Sequence, residues 1–109
     1  MDIQIRIGSP GDPIFIGDTT RFFVEFRNVG GEHLMMDNVT LKIYDDRRKL
    51  IDEFPVRPHP RGKYRRDYTI PEEPLGKLSV EFSGEIEGII FLKREPVDRV
   101  WAVPLPGEA

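Results

Sequence analysis

An all-β sandwich is predicted for this chain of 109 residues, on three observations. Short segments alternate apolar and polar side chains, the two-residue period of half-buried strands. Glycine, proline and aspartate cluster between those segments. No stretch keeps a helical period. The alternation is clearest in Arg21–Arg27, Val39–Tyr44, Tyr64–Ile70 and Leu78–Phe82.

Taken in order, Ile3, Ile5 and Ile7 share one face of a first strand within Met1–Ile7, opposite Asp2, Gln4 and Arg6. Gly8 to Pro13 is a turn cluster, and Ile14–Ile16 a short strand or a bulged continuation. After Gly17-Asp18 the second long strand turns Phe22, Val24 and Phe26 inward. Phe23 faces the other way among Arg21, Glu25 and Arg27, where a loop or a partner would cover it. Val29 to Glu32 is a loop, followed by the unusually apolar His33 to Asp37. Val39, Leu41 and Ile43 are the inward face of the next strand. Asp45 to Lys49 is a charged hairpin leading into Leu50–Phe54. Pro55 to Gly62 holds three prolines and reads as a stiff extended link. Tyr64–Ile70 and Leu78–Phe82 are strands separated by a Pro-Glu-Glu-Pro loop, and Ser83-Gly84 is expected to turn the chain. The continuous apolar run Ile89–Leu92 is expected as a central strand buried on both faces. The expected core is Phe22, Val24, Phe26, Val39, Leu41, Ile43, Leu78, Val80, Phe82 and Ile90. Seven or eight antiparallel strands spaced by turns describe an immunoglobulin-like β-sandwich.

Composition bounds the function. The length suits a single domain spanning 1–109 with one core. A net charge of −3 is too mild for wholesale attraction to nucleic acid or acidic lipid, and nucleic acid is disfavoured as a partner. Without cysteine there is no disulfide framework and no cysteine-ligated metal. The opening MDIQIRIGS has neither a basic n-region nor an apolar h-region, so the expectation is cytoplasmic synthesis without a signal peptide. No apolar run approaches the roughly 18 residues of a membrane span, and no membrane partner is expected. Arginine outnumbers lysine 11 to 5, proline reaches 10, and Asn28, Asn38 and Gln4 are the only amides. Those are habits of thermostable proteins, although a GC-rich genome also favours Arg and Pro.

The order of signals resembles the macroglobulin-type immunoglobulin-like domain. The residues concerned are Gly17-Asp18-Thr19 before a strand, a Gly-Gly loop, Val39 to Asp45 ending in Tyr-Asp, Gly62-Lys63-Tyr64, Ile70-Pro71 and Gly76 to Val80. Leu78 stands where that family prefers an aromatic. Similar stand-alone chains occur among bacteriophage structural proteins. The resemblance implies a binding or building module, possessing no catalytic residues to transfer.

The residues themselves point the same way. Ser9, Ser79 and Ser83 lie in no nucleophile-elbow pattern, and His33 and His59 sit in expected loops without a surrounding motif. Asp12, Asp18 and Asp37 do not make a full calcium ligand set in one loop, so turn chemistry accounts for them and no metal or cofactor is expected. The basic stretch Arg57 to Arg66 carries five Lys/Arg and no acid. It reads either as a charged strand edge that blocks aggregation or as a contact for a charged partner. The segment 97–109 is either the last strand or an interaction arm. The candidate partner-binding residues are Val100, Trp101, Val103 and Leu105 on the arm, Phe23, and Arg57, Arg61 and Arg65 on the basic stretch. The expected function is a non-enzymatic structural or assembly module acting on a protein partner or a second copy, in the setting of a bacteriophage virion. The alternative is a ligand-binding module that recognises carbohydrate or peptide through its loops.

Overall fold

A computed structural model describes residues 2–8, 14–59, 63–74 and 76–100. Within them the chain forms β1 (Gln4–Gly8), β2 (Ile14–Phe15), β3 (Thr19–Arg27), β4 (Asp37–Tyr44) and β5 (Leu50–Pro55), followed by β6 (Arg57–His59), β7 (Lys63–Thr69), β8 (Leu78–Ile86), β9 (Ile89–Val97) and β10 (Arg99–Val100). Two antiparallel four-stranded sheets, ordered β1-β3-β7-β6 and β5-β4-β8-β9, face each other. A short parallel pair, β10 with β2, adds to them. The class is the expected all-β sandwich. The strand number is ten among the described residues rather than seven or eight, and one pair is parallel.

The alternation read from the sequence sets the inner faces. Phe22, Val24, Phe26, Val39, Leu41, Ile43, Leu78, Val80 and Phe82 are all buried. Tyr64 and Tyr68 join them from β7. The Tyr64 ring meets Phe26 edge to face at 5.9 Å, and its hydroxyl accepts the Met36 N–H at 2.8 Å. Burying that aromatic therefore leaves no orphaned polar atom, and it ties the apolar Leu34–Met36 segment onto the core. Polar links close both seams of the sandwich. Tyr68 donates to Asp52 Oδ2 at 2.6 Å on one side, and Lys93 Nζ reaches the Ile5 carbonyl at 3.2 Å on the other.

Four local expectations are corrected. Ser83-Gly84 does not turn the chain: β8 runs through to Ile86, and the hairpin bends at Glu87-Gly88, both with positive φ (53° and 78°). Gly84 serves packing instead. A Cβ there would stand 3.0 Å from Met36 Cβ and 3.3 Å from Phe26 Cζ, so glycine lets the inner layers approach. The run Ile89–Leu92 is not a central strand. It begins β9, the last strand of its sheet, and Ile90 is 59% exposed rather than core. The Pro55 to Gly62 link contains a strand, β6, paired with β7 in the register Arg57↔Arg65, Pro58↔Tyr64. Proline is tolerated there because β6 is an edge. Pro96 lies within β9, also an edge, and Val97 ends that strand.

Candidate interaction surface

The outer face of the first sheet is built by the alternate residues of β1, β3, β7 and β6. In β3 these are Arg21, Phe23, Glu25 and Arg27, opposite the inward Phe22, Val24 and Phe26. Register then assembles a row across all four strands. Gly8 pairs with Phe23, Phe23 with Arg65, and Arg65 with Arg57. A second row holds Arg6, Glu25 and Lys63. Three of the expected partner-binding residues, Phe23, Arg57 and Arg65, thus come together on one row. Arg61, Trp101, Val103 and Leu105 lie outside the described residues, as does the side chain of Val100. The Val100 backbone pairs with Phe15 of β2 in the chain's own fold.

The Phe23 ring lies across Gly8, where a Cβ would stand 2.4 Å from Phe23 Cζ. The missing side chain makes the seat for the ring. Lys63 Nζ sits 5.7 Å from the ring centroid, a cation–π distance. Next to it Glu25 is 4% exposed, held by Arg27 at 2.8 Å and Lys63 at 3.3 Å. Burial opposes ionisation of Glu25, but Lys63 and Arg27 together outweigh it and keep the carboxyl below the usual range. At the far end Arg21 donates to Asp67 at 2.9 Å. That hydrogen bond, with the fields of Arg65 and Arg66 added, holds the Asp67 carboxyl down against a smaller desolvation effect. Arg66 itself turns to the sandwich seam, with its guanidinium 4.5 Å from the Phe54 ring.

A second surface was not anticipated. The outer side of β9 presents Ile90 and Leu92, 59% and 55% exposed, beside Ile89 at 54%. Among the described residues nothing pairs with the outer edge of this strand. Beyond Leu92 the strand changes character. Lys93 and Glu95 pair at 3.3 Å on its inner side, and Arg94 bonds Glu81 at 2.7 Å with its guanidinium 4.0 Å from the Tyr44 ring. Charges and Pro96 guard the second half of the edge, while the first half is bare.

Two further polar residues hold loops in place. Asp45 Oδ1 accepts the N–H groups of Arg47 and Lys49 at 2.9 and 2.8 Å, so this aspartate builds its hairpin. Arg99 donates to the carbonyls of Pro71, Pro74 and Gly76 and clamps the loop before β8. Ser79 and Ser83 lie on β8, whereas His33 bridges Arg27 and His59 lies in β6, on the other sheet. Among the described residues no three His, Asp or Glu side chains converge to hold a metal.

This is a chain of the immunoglobulin-like β-sandwich class. No protein-family model matches the sequence, and no curated protein matches it. Among solved structures it is similar to a CARDB domain from Pyrococcus furiosus, crystallised in complex with di-metal ions. The TM-score is 0.53 at 17% identity, covering 91% of this chain and 88% of that one. At that identity the likeness is one of fold.

Proposed function

We propose that this domain is a non-enzymatic assembly module that joins a second copy of itself through the first half of β9. The observation that carries the reading is the bare aliphatic edge Ile89–Leu92, more than half exposed at three positions and guarded only beyond Lys93. An unpaired strand offers a row of backbone donors and acceptors to another strand. Two copies related by a two-fold axis would pair β9 antiparallel, with Phe91 facing its own copy and Ile90 facing Leu92. A virion setting belongs to this proposal, supported by the resemblance to bacteriophage structural chains. The large exposed apolar residues are all aliphatic among those described, so the carbohydrate-binding alternative gains no aromatic platform.

Light scattering over a concentration series tests the reading. A discrete dimer is expected for the unaltered chain, and a monomer for Leu92→Lys. A monomer at every concentration for both, or a dimer unaffected by the lysine, would overturn it.

A further inference from the structure

The outer face of the first sheet carries six basic side chains (Arg6, Arg21, Arg27, Arg57, Lys63, Arg65) against two carboxylates, although the chain as a whole is acidic at −3. Half of the cations are already answered. Arg27 and Lys63 hold Glu25, and Arg21 holds Asp67. Arg6, Arg57 and Arg65 have no carboxylate within ion-pair distance among the described residues. Two of these three, Arg57 and Arg65, stand directly opposite each other on neighbouring strands, and both are exposed. Like charges so placed weaken a sheet, and among the described residues no carboxylate forms an ion pair with either of them.

We infer that this face docks an acidic polypeptide segment along the row Phe23–Arg65–Arg57. Guanidinium groups match carboxylates in a two-pronged geometry. Neighbouring strands lie about 4.8 Å apart, so the Arg65 and Arg57 guanidinium groups leave the sheet side by side along the row. Carboxylates of one acidic segment that crosses the strands can therefore meet both arginines. Phe23 supplies an apolar floor beside the arginines.

Other anions fit less well. Stacking of a nucleic-acid base needs a free aromatic face, and the Phe23 ring lies on Gly8 with Lys63 near it. A lipid surface needs apolar side chains that protrude, and Phe23 is half-buried in its seat. This inference uses a different surface from the β9 contact and stands or falls without it.

Fluorescence anisotropy with labelled poly-L-glutamate at low salt is the test. The unaltered chain is expected to bind, and binding is expected to weaken as salt is raised. Arg57→Gln combined with Arg65→Gln should weaken it by about tenfold or more. Lys42→Gln, which removes one charge from the other sheet, should leave it unchanged, as should Leu92→Lys. The inference is overturned if the unaltered chain does not bind, or if the double variant binds as well as the unaltered chain. It is also overturned if Lys42→Gln weakens binding equally, or if oligo(dT) or phosphatidylserine vesicles bind more tightly than polyglutamate. Loss of polyglutamate binding with a dimer retained removes this inference alone. The reverse result removes the β9 contact alone.

Discussion

Phe23 and Ile90 are both apolar and both face outward, yet the fold treats them differently. Phe23 lies in an interior strand, with Gly8 on one side to seat its ring and Arg65 on the other. Ile90 has a neighbour, Glu85, on one side only, and stays 59% exposed. A residue on an interior strand is covered from two directions, and one on an edge strand from one. The chain can therefore shelter an outward aromatic from within its first sheet. Among the described residues no strand lies beyond β9 to do so.

The largest effect sets both residues against the core. Phe26 is fully buried against Tyr64, so Phe26→Ala should cost about 3–5 kcal/mol. Phe23→Ala leaves a shallow surface notch and should cost about 1 kcal/mol. Denaturant midpoints of the two variants measure the gap. Equal losses would mean that Phe23 is core in all but position, and the comparison with Ile90 would collapse.

Glu25, beside Phe23, gives the next effect and a pH signature. Its carboxyl titrates below the ordinary 4.5 in the folded chain. A depressed folded value means that the unfolded chain takes up the proton first. The stabilisation from Glu25 is thus complete above about pH 4.5 and is lost as pH falls through the lower folded value. Arg27 and Lys63 are partly in water, which screens the pairs, so Glu25→Gln should cost about 1–2 kcal/mol near neutrality. The variant should also show a shallower loss of stability between pH 5 and pH 3. Melting curves across that range decide it. An unchanged acid slope would show that the outer face is not knit through Glu25.

Much of this was legible in the sequence, because a two-residue period reports which side of a strand faces the core. It sorted Phe22, Val24 and Phe26 from Phe23 correctly. It could not report register, so Phe23, Arg65 and Arg57 were visible as candidates but not as one row. Nor could it tell an edge from a centre. An unbroken apolar run is the mark of a doubly buried strand, and Ile89–Leu92 carries that mark on an edge. Ser83-Gly84 misled for a related reason. A glycine that admits Met36 and Phe26 looks, in one dimension, like a glycine that turns.

Gly8 sharpens the comparison at smaller cost. A methyl group there would meet the Phe23 ring at 2.4 and 2.7 Å, so the ring must leave its seat. It has water to swing into, so Gly8→Ala should cost about 1 kcal/mol rather than the more severe loss of overpacking in a closed core. The ring should also become more accessible, and Phe23→Ala should add little in the Gly8→Ala background. Additive losses in the double variant would show that the two residues do not act as a unit.

The smallest effect is expected on the exposed aliphatic edge of β9. Ile90 and Leu92 point away from the core, and among the described residues their partners across the sheet are Glu85 and Ser83. Replacing either with lysine removes no buried contact and strands no polar group, so the melting of a dilute, monomeric sample should move by less than about 0.5 kcal/mol. At high concentration the unaltered chain should gain stability through association, since a partner that binds only the folded form shifts the balance by mass action. Ile90→Lys should not gain it. The signature is therefore a concentration-dependent melting point in the unaltered chain and a constant one in the variant. A large loss from Ile90→Lys at low concentration would mean that Ile90 supports its own fold, and that the contrast between a sheltered Phe23 and a bare β9 is wrong.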